Sequence, residues 1–321
     1  MITENRKRVN GVTVLMAAYN DSKYIGNAIR SILNQTFRNF EFLIIDDGST
    51  DGTENVIKSF SDKRINYKKI SHRGLAAALN YGLSISSCEW IARIDADDLN
   101  SKERLEKQLN FLNENKKTDV LSGWSVYFNE ENEILFQLKT PVTDKKIKEF
   151  LNLHNPVNHS SVMFNREKIL REGGYNEKFG TYEDFELWFR LKDKLHFRIL
   201  PETLVYTRLR KNSMTGKGSK AKIYRLLFEN AESKFNQSVS VKEKKYWSNV
   251  LFWVEYFYGS KDRSRKYFTE DITLKKSIAY LNTFLPDNGF EKLAELRIRQ
   301  RLSSGIRFRK EFKDELKKLI N

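Results

Sequence analysis

The first 215 residues of this chain predict an α/β fold, a mainly parallel sheet with helices on both faces, followed by a helical region over 216–321. Two observations carry that prediction. Between residues 12 and 112, short apolar runs alternate with stretches of helical spacing, the pattern of βαβ units. Three of the first four runs also end in polar, acidic or Gly-rich loops, and ligands of such sheets bind beyond the C-terminal strand ends.

The first run is 12–18 (VTVLMAA), which ends at Tyr19, Asn20 and Asp21. A continuous apolar run of this kind is expected for a strand buried on both faces. Residues 22–35 carry helical spacing, with Asp21 or Ser22 as N-cap. Residues 40–45 form the second strand and end in DDGSTDG, residues 46–52. A helix over 53–60, a strand over 65–70 and an Ala/Leu-rich helix over 74–85 follow.

Next comes EWIARIDADD, residues 89–98, an apolar strand running into Asp95, Asp97 and Asp98. Carboxylates at a strand tip are costly unless something positive faces them. Residues i and i+2 point the same way, so Asp95 and Asp97 are expected to converge on a divalent cation that also holds phosphate oxygens. The plainer alternative is an Asp-rich turn. Asp98 reads as the cap of a helix over 99–112. No G-x-G-x-x-G follows the first strand and no G-x-x-x-x-G-K-[ST] occurs, so a phosphate must be held another way.

Beyond Asp119 the pattern changes. Strands are expected over 120–128 and 134–138, with a hairpin around 129–132, and a helix over 143–153. A strand over 156–164 (PVNHSSVMF) and a short helix over 166–172, ended by Gly173 and Gly174, come next. Glu183, Asp184 and Glu186 open a helix to 192, where acids also suit the helix dipole. Strands over 197–200 and 203–209 complete the sheet. His159 reads either as a hydrogen-bonded structural side chain or as a ligand contact. Trp188 reads as core under the site, with stacking on a ligand as the alternative.

Composition narrows the function classes. A single cysteine, Cys88, leaves no disulfide framework and no Cys-based metal site, which suits a reducing cytosol. Residues 1–11 lack the apolar stretch of a secretory signal, and no run approaches the length of a membrane helix. The chain is expected in the cytoplasm, soluble or peripheral. Net charge is +15 overall, and residues 216–321 hold 24 Lys+Arg against 13 Asp+Glu, a net +11. An anionic membrane, nucleic acid or an anionic substrate would suit that region. The aromatics of 246–258 lack interleaved basic residues, so nucleic acid is the poorer match. Residues 281–306 read as an amphipathic helix, and 213–219 as the one Gly/Ser-rich linker candidate.

Taken together, VTVLMAAYND (12–21), FEFLIIDDGSTDGT (40–53), RGLAAALNYGL (73–83), WIARIDADD (90–98), NPVNHSSVMFNR (155–166), GGY (173–175) and YEDFELWFR (182–190) resemble the family 2 glycosyltransferases. The resemblance covers roughly residues 10–210. It implies the GT-A fold, a Rossmann-like sheet, and inverting transfer from a nucleotide sugar, as in bacterial surface-polysaccharide enzymes. It implies that Ala18, Tyr19, Asn20, Asp46 and Asp47 hold base and ribose, with Arg73 near base or diphosphate. It implies that Asp95 and Ala96 border ribose or metal, and that Asp97 binds Mn²⁺ or Mg²⁺. Asp184 looks like the general base, with Glu183 as the alternative. His159, Gly174, Tyr175 and Trp188 would face sugar or acceptor, a glycan or lipid-linked glycan. Two departures stand out: His72 where many members have Asn, and Arg210 where many have His. Guanidinium offers no lone pair to a metal, but it can grip a phosphate bidentately.

The chemistry sets its own demands. A sugar hydroxyl needs a carboxylate to take its proton, and the nucleoside diphosphate leaving group needs a cation. Asp47 or Asp46 could accept the N3–H of uracil, which cytosine lacks, so a UDP-sugar is the expected donor. A metal-dependent nucleotidyltransferase would share the acidic edge but usually wants a basic Gly-rich first loop. A non-catalytic membrane- or nucleic-acid-binding module would explain the basic region but not the acids.

Overall fold

The computed structural model describes residues 9–210, 220–268, 276 and 306–320. Strand β1 (Val9–Ala18) pairs in parallel with β2 (Phe40–Asp46) on one side and β4 (Cys88–Asp95) on the other. Beyond β2 lies β3 (Ile65–Lys69), also parallel. The register sets Ala18 beside Asp46 and Ala17 beside Asp95, so three strand ends arrive level at one edge.

Beyond β4 the sheet becomes mixed. β4 pairs antiparallel with β8 (Met163–Asn165), which pairs antiparallel with β6 (Val120–Asn129). β6 runs parallel to β9 (Phe197–Leu209) and forms a hairpin with β7 (Ile134–Leu138). β5 (Leu99–Asn100) closes the far edge against β9.

Side chains of β1 alternate between two cores, as strand geometry requires. Val12, Val14, Met16 and Ala18 meet the helix α1 (Ile25–Leu33) and the helix α4 (Arg104–Glu114) on one face. Leu15 and Ala17 meet α3 (Leu75–Ile85) on the other, in a cluster that continues to Trp188 of α7 (Glu183–Leu191). The shorter helices are α2 (Thr53–Lys58), α5 (Asp144–Leu151) and α6 (Arg166–Arg171).

The C-terminal helices pack on the same sheet. Ile223 and Leu227 of α8 (Lys220–Gln237) and Leu251 and Val254 of α9 (Val241–Tyr258) join the α7 cluster. A reciprocal capping box, Ser240 with Glu243, starts α9. After α10 (Lys261–Ser264), helix α11 (Ile306–Ile320) lays Phe312, Leu316 and Leu319 on Leu99, Val126, Phe128 and Tyr206. The Tyr206 hydroxyl donates to Glu315 Oε2 at 2.6 Å. No helix among the described residues is long and apolar enough to cross a membrane.

Three sequence expectations shift. The helix expected from residue 99 starts at Arg104, because Leu99 and Asn100 are drawn into the sheet by β9. The strand expected over 156–164 is mostly loop and a 3₁₀ turn, His159–Ser161, with only β8 in the sheet. The two last strands are one continuous β9. The expected linker at 213–219 and most of the amphipathic stretch at 281–306 lie outside the described residues.

Candidate active site

The loops after β1 and β2 are braced by carboxylates. Asp46 is fully buried: Oδ1 accepts from the Ser49 amide at 2.8 Å and Oδ2 from the Tyr67 hydroxyl at 2.9 Å. Asp47 is 2% exposed, and its oxygens accept from the Arg73 amide at 2.9 Å and the Gly74 amide at 2.8 Å. The Asp47 amide in turn donates to the Ala18 carbonyl at 2.9 Å. Both carboxylates are covered and brace the loops. Asn20 sits at φ 54°, a conformation Asn tolerates, and its Oδ1 accepts from the Thr50 amide at 2.9 Å. What these braces expose is Tyr19, stacked on His72 with ring centroids 3.9 Å apart. Arg73 is exposed beside them and pairs with Glu177.

At the end of β4 the carboxylates take different partners. The strand stops at Asp95, so the i, i+2 rule pairs Asp95 with Arg93 rather than with Asp97. Arg93 is 1% exposed and grips Asp95 through both terminal nitrogens. Ser160 Oγ also donates to Asp95 at 2.8 Å. Burial works against the Asp95 charge, but Arg93 outweighs it and holds the group below the usual carboxylate range. Asp97 lies in the turn beyond, where Arg210 Nε approaches its Oδ2 to 2.7 Å and Arg210 Nη1 donates to Asp21 at 2.9 Å. Burial, then the Asp95 charge, push Asp97 up to about 7 despite Arg210. Ala96 between them is buried. Asp98 is not a helix cap. It is buried and accepts the Arg208 amide of β9 at 2.7 Å.

These groups test whether a metal fits. Among the described residues no three His, Cys, Asp or Glu side chains gather to hold an ion by themselves. Asp95 is paired with Arg93. Asp97 fits as a lone carboxylate ligand for an ion otherwise held by phosphate oxygens and water, the usual arrangement for Mg²⁺, once Arg210 yields an oxygen.

On the same face of the sheet as Arg93 and Asp95, the start of α7 supplies Glu183 and Asp184. The preceding Tyr182 has φ 71°, which turns the chain sharply into the helix. Asp184 is half-buried. Its Oδ1 accepts the Phe185 amide at 2.7 Å and its Oδ2 the Asn155 side-chain amide at 2.8 Å. Burial raises Asp184 to about 6 against these hydrogen bonds. Glu183 is 6% exposed, and burial followed by the Asp184 charge raises it to about 8. Of the two, Asp184 has the exposure and the lower affinity for protons that a base at neutral pH needs.

The expected sugar contacts sort differently. His159 Nε2 meets the Tyr175 hydroxyl at 2.9 Å, and burial, then Arg93, hold the imidazole well below its usual range and so neutral. Tyr175 is 2% exposed and supports the site from beneath. Gly174 (φ 67°) presents its carbonyl to Arg190, and a Cβ there would lie 2.5 Å from Asn80 Oδ1. Trp188 is fully buried with its ring edge-on to Phe164 and Phe197, which excludes sugar stacking. An open hollow of about 580 Å³ near Gly11, Phe40 and Cys88 lies at the opposite ends of the strands, remote from these acids.

Sequence reasoning missed the buried cations. Arg93 stood two residues before Asp95 inside an apolar run, a visible signal once strand alternation is applied. Arg104 of α4 gave none. It is fully buried and donates to the carbonyls of Arg93, Ser160 and Val162, tying β4 to the 3₁₀ turn. Burial, then Arg93, lower it to about 9.

An α/β sheet of this topology, with Asp95 and Asp97 beyond the end of β4 and Asp184 on the same face as Asp95, matches the GT-A fold. Residues 13–174 match the profile of Glycosyl transferase family 2, and the chain belongs to that family. It is 32% identical over 257 residues to an uncharacterised glycosyltransferase of Methanocaldococcus jannaschii, covering 77% of this chain and 86% of the relative. It is 35% identical to the O-antigen biosynthesis glycosyltransferase WbnJ of Escherichia coli over 56% of this chain and 71% of WbnJ. The fold is similar to that of Staphylococcus aureus TarS 1–349 in complex with UDP-GlcNAc (TM-score 0.60, 19% identity, 85% of this chain and 79% of that one). It is also similar to a mannosyltransferase of Pyrobaculum calidifontis in complex with GDP-Man and Mn²⁺ (TM-score 0.54, 15% identity, 99% and 89%). The protein is a glycosyltransferase, and the nucleotidyltransferase and non-catalytic alternatives fall away.

Proposed function

We propose that this glycosyltransferase moves a hexosyl or N-acetylhexosaminyl group from a UDP-sugar to a hydroxyl of a glycan or lipid-linked glycan, with inversion, and that Asp184 is the general base. The observation that carries it is the half-buried Asp184 carboxylate, fixed by Asn155 and raised to about 6, on the face it shares with Asp95. Asp184 takes the proton from the acceptor hydroxyl as oxygen attacks the anomeric carbon. One displacement inverts that carbon and needs no enzyme nucleophile. Arg93 keeps Asp95 ionised beside the donor, and Asn155 keeps Asp184 from rotating.

The diphosphate is expected near Asp97 and Arg210. A divalent ion bound there would be held by Asp97 and would supply Lewis-acid stabilisation to the leaving group. The Mn²⁺ in the Pyrobaculum complex supports that role. Arg210, released from Asp97 and Asp21, would grip a phosphate. UDP-GlcNAc in TarS supports a uridine donor, and the O-antigen role in WbnJ's name supports a glycan acceptor. We assign residues 1–215 as the catalytic unit and the basic 216–321 as its acceptor side, in peripheral contact with an anionic membrane at the cytoplasmic face.

The test is a panel of UDP- and GDP-sugars with Mn²⁺, scored by nucleotide release and thermal shift. UDP-sugars should stabilise the protein and be hydrolysed slowly without acceptor. A response to GDP-sugars alone removes the uridine assignment.

A further inference from the structure

We infer that the turn between α8 and α9 is the membrane anchor of this enzyme, its two valines entering the headgroup layer of an anionic bilayer and its lysines meeting the lipid phosphates. This rests on the acceptor-side reading of residues 216–321 proposed above and names the surface that carries it. Val239 is 95% exposed and Val241 73%, whereas every other exposed large apolar side chain among the described residues stands at 45% or less. The polar residues of the turn behave in the opposite way. Ser238 Oγ donates to the Lys234 carbonyl at 2.7 Å, closing α8, and Ser240 Oγ accepts the Glu243 amide at 3.2 Å, opening α9. The turn thus commits its hydroxyls to the backbone and holds two apolar side chains out in water, an exposure that burial in lipid relieves.

The surrounding charge indicates the partner. Lys234, Lys242, Lys244 and Lys245 are exposed, and the one acid between 234 and 246, Glu243, accepts the Ser240 amide within the capping box. The three arginines of 220–268 pair with Glu229, Glu255 and Asp262, whereas none of these four lysines forms an ion pair among the described residues. Unpaired lysines around exposed apolar tips suit an anionic bilayer, which demands no shape match. A second copy or another protein would need about 800 Å² of complementary surface from each side, more than two valine side chains offer. The rival basic surface is α11, with Lys313, Lys317 and Lys318 exposed, but its apolar side is taken up by Leu99, Val126, Phe128 and Tyr206. The turn is also joined to the site. α9 runs from it to Tyr258, whose hydroxyl donates to the Leu153 carbonyl at 3.0 Å, two residues before the Asn155 that holds Asp184. An anchored turn therefore sets how that segment sits over a membrane-borne acceptor.

The experiment is flotation of the full chain with vesicles of phosphatidylcholine alone or with about one-third phosphatidylglycerol. Neither donor nor acceptor is added, so the result is independent of the reaction proposed above. Wild type should float only with the anionic vesicles, and less at high salt. Val239→Ser with Val241→Ser should weaken partition about tenfold. Lys242→Gln with Lys244→Gln and Lys245→Gln should weaken it roughly a hundredfold, at about fivefold per lysine. Both variants keep Ser240 and Glu243, so their melting temperatures should match the wild type. Lys313→Gln with Lys317→Gln and Lys318→Gln on α11 should float as the wild type does. Flotation that survives in both turn variants, or that only the α11 variant abolishes, overturns the anchor. So does a wild type that floats with neither vesicle, or one that instead dimerises through the valines, which would make the turn a contact between copies. Each of these outcomes leaves the role of Asp184 standing.

Discussion

Two groups of carboxylates meet at the C-terminal edge of the sheet, and they are built in opposite ways. Asp46 and Asp47 spend their oxygens on backbone amides and a tyrosine hydroxyl, and so hold loops in place. Asp97, Glu183 and Asp184 are under-compensated, and burial raises all three. Acids that resemble one another in the sequence thus divide into scaffold and chemistry by what donates to them. Functional sites are where such perturbed groups concentrate.

The comparison is broken most sharply at Asp184. Asp184→Asn keeps the Asn155 neighbour and the helix start but removes the base, so transfer should fall by about 10²–10⁴. UDP affinity should be unchanged. Full transfer activity in this variant, measured by UDP release with acceptor, would remove Asp184 from the role.

Asp47→Ala should behave in the reverse sense. It leaves the Arg73 and Gly74 amides without their acceptor, at a cost of about 1–3 kcal/mol, and lets the loop carrying His72 drift. Denaturant melts should show the loss of stability, and titration should show weaker UDP binding. A stable Asp47→Ala protein with normal binding would erase the distinction between the two groups.

Acidity provides a third test. The base must be ionised, so the rate should rise with pH through about 6, where Asp184 titrates. Stability should move the other way. Carboxylates whose folded values lie above their unfolded ones bind more protons folded than unfolded, so stability falls as pH rises through that interval. For Asp184 and Glu183 the interval runs from the ordinary carboxylate range up to about 8. The smallest effect expected is that Glu183→Gln flattens this decline and raises the melting temperature on the alkaline side. Urea titrations across the interval measure it, and an unaltered slope would show that Glu183 is not held against its charge.

Much of the site was legible in advance, and the failures have physical causes. The alternation of runs gave the parallel half of the sheet because buried parallel strands need continuous apolar sequence. EWIARIDADD placed acids at the correct edge, and YEDFELWFR placed Glu183 and Asp184 at a helix start. Asp95 and Asp97 take different partners, Arg93 and Arg210, because the strand ends at Asp95 and alternation holds only within a strand. The strand expected over 156–164 failed because Asn158 folds the chain into a turn, accepting the Ser161 amide on its side chain at 3.0 Å.

By itself, the sequence determined the α/β class, the family and the edge of the sheet where its acids collect, since periodicity and strand-end residues are local properties. Only the tertiary structure decided what each acid does. Arg93, Arg210 and Asn155 reach their carboxylates from the strand interior, from β9's far end and from the loop before the 3₁₀ turn. A carboxylate's charge and freedom depend on the donors around it, and for Asp97 and Asp184 those donors come from distant segments that only folding brings together.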